Sequence, residues 1–235
     1  MGGQRRFAMA RCRECGLHEE LCICDQRPRL ELRTKLLVVQ NNKERNKPTN
    51  TGRMIPQVLS HAELIYFGAR GVPWDGGPLV RPDHDYVLVF PRVEDPEGQA
   101  PKPAPVLDPE RIAALEANSQ SEPGRTLAVV ILDGTWAQCA RMSRRVPELA
   151  AMEAWGLPEG PASHWGVRVP SEPSRISSFE AAIRVVELFE GPEPAAQMQA
   201  HFDRMAAAMQ FMKAKRPDPR VPNEWIEARQ ARFGH

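Results

Sequence analysis

Residues 126–142 read TLAVVILDGTWAQCARM. The apolar, β-branched run from Leu127 to Leu132 suits a strand covered on both faces, as in parallel sheets. It gives way at once to Asp133-Gly134-Thr135-Trp136, and then to a helical stretch carrying Arg141, Arg144 and Arg145. A carboxylate, a glycine and a hydroxyl at the carboxyl end of such a strand stand where open α/β sheets hold their ligands. The same residues also suit a plain strand-to-helix turn, with Asp133 or Thr135 as cap and Trp136 as packing.

Working outward, residues 35–40 (KLLVVQ), 62–70 (AELIYFGAR) and 86–90 (YVLVF) read as further strands. Between the first two, the chain is polar and turn-rich to Asn50 and helical over about 51–60, with a kink or split expected at Pro56. Lys43, Arg45, Lys47 and Arg53 make a basic loop suited to phosphate contacts or simply to solvent. Six prolines over 91–109 leave little room for regular structure. Asp108-Pro109 then opens a short helix to about 118. The helix after DGTW runs to about 152, and 165–169 (WGVRV) reads as a short strand. Ser177 and Glu180 form an S-x-x-E capping box for a helix over 177–190. A longer helix over 194–215 aligns Met198, Phe202, Met205, Met209 and Met212 on one side, a stripe we read as core. Residues 216–235 form a proline-containing, partly basic tail. Strands alternating with helical connections give an α/β fold, a mostly parallel sheet with flanking helices. Neither a G-x-G-x-x-G after the first strand nor a G-x-x-x-x-G-K-[ST] is present, so dinucleotide and Walker-type sites are unsupported.

Residues 11–25, RCRECGLHEELCICD, hold Cys12, Cys15, Cys22 and Cys24 in the spacing C-x2-C-x6-C-x-C. Two short cysteine pairs fit one tetrahedral Zn²⁺, and four thiolates close its shell, so the metal is expected to be structural. The chain has 235 residues, of which 42% are hydrophobic and 26% charged, as in an ordinary globular protein. Its apolar runs are too short to span a bilayer, and the N-terminus lacks the core of a secretory signal, so we expect a cytoplasmic location and no membrane partner. Net charge is +1, which argues against a uniformly basic nucleic-acid binder. The charge is uneven, however. Residues 1–53 carry twelve Lys/Arg against six Asp/Glu, leaving 19 against 24 in the remainder. A polyanion could therefore meet the N-terminal third.

Four motifs together resemble the DTW-domain family, the tRNA-uridine aminocarboxypropyltransferases. They are the cysteine cluster, Glu44 with Asn50-Thr51-Gly52-Arg53, the turn Asp133-Gly134-Thr135-Trp136, and Arg175-Ile176-Ser177-Ser178-Phe179-Glu180-Ala181. Their order and spacing carry the resemblance. Two positions depart from the family pattern. Asn41 or Asn42 stands where a histidine is usual, and Arg92 where a small polar residue is common.

The resemblance implies a SPOUT-like fold whose C-terminal part threads a trefoil knot around S-adenosylmethionine. It implies three segments: a zinc-binding one over 1–30, a catalytic domain over 31–220 and a tail over 221–235. The implied reaction moves the 3-amino-3-carboxypropyl group of S-adenosylmethionine to N3 of a tRNA uridine, at variable-loop position 47, releasing 5′-methylthioadenosine. Asp133, Thr135 and Trp136 are then the catalytic candidates. Asp133 would accept the imide proton or hold the cofactor's amino group, Thr135 would bond the cofactor or cap its helix, and Trp136 would stack on a base or line the pocket. Phe90, Pro91, Arg92, Leu132, Asp133, Gly134, Ile176, Ser177, Ser178 and Glu180 would surround the cofactor, with the helix start at Ser177 offering donors to a carboxylate. Lys43, Arg45, Lys47, Arg53, Arg141, Arg144 and Arg145 would meet tRNA phosphates. A monomer and a homodimer are both open. Two rival readings are a SPOUT-type RNA methyltransferase and a zinc-containing RNA-binding module without catalysis.

Overall fold

The computed structural model describes residues 10–91, 104–168, 172 and 175–234. Its centre is a five-stranded sheet of β1 (Lys35–Asn41), β2 (Glu63–Phe67), β3 (His84–Val89), β4 (Thr126–Asp133) and β5 (Ala154–Trp155). The strands lie in the order β2-β1-β4-β3-β5, and every pairing is parallel. Side chains alternate between two apolar layers, which is why β4 reads as a continuous apolar run. Leu127, Val129 and Ile131 face one core together with Leu36, Val38, Val87 and Val89. Ala128, Val130 and Leu132 face the other with Leu37, Val39 and Leu88.

The helices divide between these layers. The second core is closed by α3 (Trp136–Arg145) and α4 (Pro147–Ala151), through Cys139, Met142, Val146 and Leu149. The expected single helix to about 152 is thus two, because Pro147 cannot donate to a continuing ladder. The first core is closed by α5 (Ser178–Glu190) and α6 (Pro192–Met212), where the whole methionine stripe is buried. Gly191, at φ +91°, makes the turn between them. Pro56 splits the expected helix into a 3₁₀ turn, Gly52–Met54, and the short α1 (Ile55–Val58). Asp108 accepts the Arg111 N–H at 2.7 Å and caps α2 (Pro109–Gln120).

Three features differ from the sequence reading. Residues 165–168 form no strand; they are held irregularly by side-chain bonds described below, and Val169 lies outside the described residues. The fifth strand is instead the two-residue β5. The tail contains a helix, α7 (Asn223–Phe233), docked on α6. Arg229 pairs with buried Asp203 at 2.8 Å, Trp225 stacks on His164 with ring centroids 4.5 Å apart, and Phe233 enters the core.

The N-terminal segment packs on the first layer through buried Cys15 and Leu17. Leu30 is bound into the body of the domain, its N–H donating to the Val58 carbonyl at 2.8 Å and its carbonyl accepting from Ser60 at 3.0 Å. Among the described residues no helix is long and apolar enough to cross a membrane.

Candidate active site

At the carboxyl edge of the sheet, the chain leaves β1 towards β2 and leaves the adjacent β4 in the opposite direction, towards β5. Such a divergence opens a crevice where α/β sheets bind ligands. Parallel register sets Gln40 of β1 beside Asp133 of β4. Gln40 Nε2 donates to Asp133 Oδ2 at 2.7 Å, and Asn50 Nδ2 donates to the same oxygen at 2.5 Å. Ser178 Oγ donates to Oδ1 at 2.6 Å. Asp133, only 3% exposed, is thus fixed by three neutral donors from three separate segments. The Asn50 turn is pressed against it. A Cβ on Gly52 would stand 2.4 Å from Asp133 Cγ, which explains the glycine there.

A cleft of about 410 Å³ opens over this carboxylate. Its polar wall includes Glu44, Thr49, Arg168, Arg175, Ser177 and Ser178. Glu44 is fully buried, yet it meets Lys47 at 2.5 Å and Arg168 at 3.2 Å. Arg168 is oriented further by Thr49 Oγ1, which accepts from its Nη2 at 2.9 Å and its Nε at 3.1 Å. A second, more apolar cavity of about 370 Å³ includes Phe90, Pro91, Leu132, Cys139, Leu157 and Ala181. The two share one wall: Gly134 and Trp136 from the turn after β4, and Ile176, Ser177 and Ser178 from the entry to α5. Trp136 lies with its ring 5.6 Å from that of Phe90, and the Arg175 guanidinium sits 4.8 Å above it.

Both helices at this wall start on capping boxes. Thr135 Oγ1 accepts the Gln138 N–H while Gln138 Oε1 accepts that of Thr135. Ser177 and Glu180 make the matching pair for α5. Glu180 also accepts from Ser163 Oγ and the His164 N–H, both at 2.7 Å, so it ties the 163–164 loop to the helix start and lines neither cavity.

The four cysteines converge at a separate cluster, and none of them lines this cleft. Their sulfurs all lie within 4.8 Å of one another, with Cys12–Cys24 at 3.8 Å and Cys15–Cys22 at 3.9 Å. A tetrahedron with Zn–S bonds of about 2.3 Å has an edge of about 3.8 Å. The donor set therefore fits a structural zinc ion.

Over residues 9–210 the chain matches the DTW domain. It belongs to the DTW-domain family. Membership points to tRNA modification. No solved structure matches this chain.

Within this DTW domain, Asp133, Thr135 and Trp136 line the polar cleft together. Of the residues expected around the cofactor, Phe90, Pro91, Leu132, Gly134, Ile176, Ser177 and Ser178 line the apolar cavity. Arg92 lies outside the described residues. Asn41, one of the two residues standing where the family histidine is usual, caps a turn by accepting the Lys43 N–H at 3.1 Å and lies behind Gly134.

The seven cations expected to meet tRNA separate by environment. Lys43, Arg45, Lys47, Arg141, Arg144 and Arg145 are exposed. Arg45 rests over the Tyr66 ring at 4.4 Å. Arg53 instead points inward to the cysteine segment, donating to the carbonyls of Glu14 and Cys15. Sequence reasoning gave no site role to Gln40, Glu44, Asn50, Ser163, Trp165, Arg168 or Arg175 of the DTW domain. Glu44, Asn50 and Arg175 did belong to recognised motifs, which was the available signal. The others carry no local pattern.

Proposed function

We propose that this DTW protein transfers the 3-amino-3-carboxypropyl group of S-adenosylmethionine to N3 of a tRNA uridine, at variable-loop position 47, releasing 5′-methylthioadenosine. The observation that carries this reading is the pair of cavities on either side of the Gly134/Trp136 and Ile176/Ser178 wall. The apolar cavity suits the methylthioadenosine portion, with Phe90, Leu132 and Leu157 against the nucleoside. The polar cleft suits the transferred arm and the entering uracil. Transfer of the arm rather than the methyl requires the γ-carbon, not the methyl carbon, to face the nucleophile. A nucleoside in one compartment and its arm in the other meets that requirement. The N3–C bond forms as the C–S bond breaks, the electron pair of that bond goes to sulfur, and the imide proton passes to solvent water.

The trefoil knot implied by the resemblance belongs to this reading, since it would gather the loops after β3, after β4 and before α5. Exposed Lys43, Arg45, Lys47, Arg141, Arg144 and Arg145 would meet the tRNA backbone. The zinc ion would be structural, its closed shell leaving no position for substrate. The test is incubation of unmodified tRNA with S-adenosylmethionine labelled in either the carboxyl carbon or the methyl. Carboxyl label in tRNA together with released methylthioadenosine supports the reading. Methyl label in tRNA would establish the methyltransferase instead, and binding without transfer would leave the non-catalytic module.

A further inference from the structure

Charge in the polar cleft is arranged in two seats of opposite sign. Asp133 is the negative seat. Its partners among the described residues, Gln40, Asn50 and Ser178, are all neutral donors, so hydrogen bonds hold the carboxylate without an ion pair among those residues to cancel its charge. A buried carboxylate held in this way favours a cationic group brought against it. Lys47, Glu44 and Arg168 form the positive seat. Two cations meet one fully buried carboxylate, leaving the trio with one positive charge in excess, and of the two cations Arg168 lines the cleft. Glu44 and Thr49 take one N–H from each of the three guanidinium nitrogens of Arg168. A guanidinium has five N–H donors, so among the described residues two remain for a ligand in the cleft it lines.

A uracil ring is neutral and a phosphate carries one sign only. The amino-acid end of the aminocarboxypropyl arm carries both. Building on the reading proposed above, we propose that the polar cleft recognises the zwitterionic arm. Asp133 seats its α-ammonium, Arg168 seats its α-carboxylate, and Glu44 is the positioning residue that orients Arg168. Fixing both charges of the arm's α-carbon leaves the γ-carbon between that end and the apolar cavity, so the same contacts that bind the arm select the carbon to be attacked.

The experiment is calorimetric titration of the zinc-loaded full chain, without RNA, using two probes. S-adenosylhomocysteine carries the arm; 5′-methylthioadenosine lacks it. Wild type is expected to bind the first more tightly. Arg168→Ala is expected to weaken S-adenosylhomocysteine by about tenfold, the loss of one charge-assisted contact, while changing methylthioadenosine by less than about twofold. Glu44→Gln should move the same ratio in the same direction by less, and Arg168→Lys should restore it in part. Asp133→Asn should also weaken the arm-bearing probe selectively. Arg168 is well exposed at the cleft rim, so its replacement leaves the core intact. The proposal is overturned if Arg168→Ala leaves both affinities unchanged or lowers them equally. It is also overturned if Arg168→Ala weakens tRNA binding alone, which would make Arg168 a phosphate contact. If wild type binds neither probe, the transferase reading falls with it; if it binds methylthioadenosine as tightly as S-adenosylhomocysteine, only the arm seat falls.

Discussion

The Arg53 guanidinium donates to the Cys15 carbonyl at 2.8 Å and to the Glu14 carbonyl at 3.1 Å. From the same residue, the backbone N–H donates to Asn50 Oδ1 at 3.0 Å, and Asn50 holds Asp133. One arginine thus joins the cysteine segment to the carboxylate of the cleft. Arg53→Ala is expected to lower stability by about 1.5–3 kcal/mol, as for loss of hydrogen bonds from a charged group. Chemical denaturation measures this. The salt dependence of tRNA binding should stay unchanged in that variant, whereas Arg144→Ala should reduce the slope of log affinity against log salt by about one.

Elemental analysis of the purified protein is expected to find about one zinc ion per chain, the number a single four-thiolate site takes. Because Cys15 and Leu17 are packed into the main core, stripping the metal should lower the unfolding temperature of the whole domain. A chelated protein that unfolds at the temperature of the loaded one would show the cysteines to be energetically separate.

Gly52→Ala is expected to cost about 1–3 kcal/mol, in the range of overpacked core sites, and to abolish most turnover. The added methyl would meet Asp133 Oδ1 at 2.7 Å and Oδ2 at 2.8 Å, so the turn and the carboxylate must separate. Gly124→Ala serves as a control for glycine replacement in general. No atom lies near its would-be Cβ, and its φ of +87° confines the strain to an exposed turn. Cofactor affinity and denaturation, measured on both variants, separate site damage from general destabilisation.

His201 on α6 is buried, and neither ring nitrogen has a partner among the described residues. Burial presses its pKa down from 6.5 to about 4, with Arg204 and Arg27 adding to the effect. The unfolded chain therefore binds a proton between those values that the folded chain refuses. Stability from this group is complete above pH 6.5 and is lost as pH falls towards 4, by about 1.4 kcal/mol per pH unit. Denaturation of His201→Leu beside wild type at several pH values should show a shallower acid slope in the variant. Parallel slopes would remove His201 as the source.

The sheet was legible where burial imposes a continuous apolar run, as in β4, and the helix starts were legible where side chains cap them. Ser177 with Glu180 is local chemistry, and a sequence shows it directly. Pro56 likewise announced the break that α1 displays. The fifth strand escaped because two residues carry no period. α7 escaped because its anchors, Trp225 and Phe233, are sparse among polar residues, and its reason to form is the docking of Arg229 on Asp203. Residues 165–168 were misread because aromatic and β-branched composition suggested a strand. Glu180 holds the preceding backbone, and Gln210 Nε2 donates to the Trp165 carbonyl at 3.1 Å, so side chains take the bonds that a strand would have given to a neighbour.

In the cleft, Asp133 could be singled out by its turn, but not its setting. Gln40 lies 93 residues away in sequence and is brought there by strand register. Arg168 lies 124 residues from Glu44. Charge composition could not sort Arg53 from its neighbours either. What distinguishes it is the pair of carbonyls it faces, and carbonyls are invisible in a residue string.

The central position of β4 also bears on how the chain is made. β1 and β2 can pair soon after synthesis, but β1's other edge has no partner until residues 126–133 emerge, and β3 then receives β4 on its inner side. For much of translation Leu36, Leu37, Val38 and Val39 border an unpaired edge, the kind of surface that recruits other chains. Insertion of the DGTW-bearing strand closes that edge and brings Asp133 beside Gln40 in one event. A nascent chain arrested before β4 should therefore depend on chaperones, and one released after it should not.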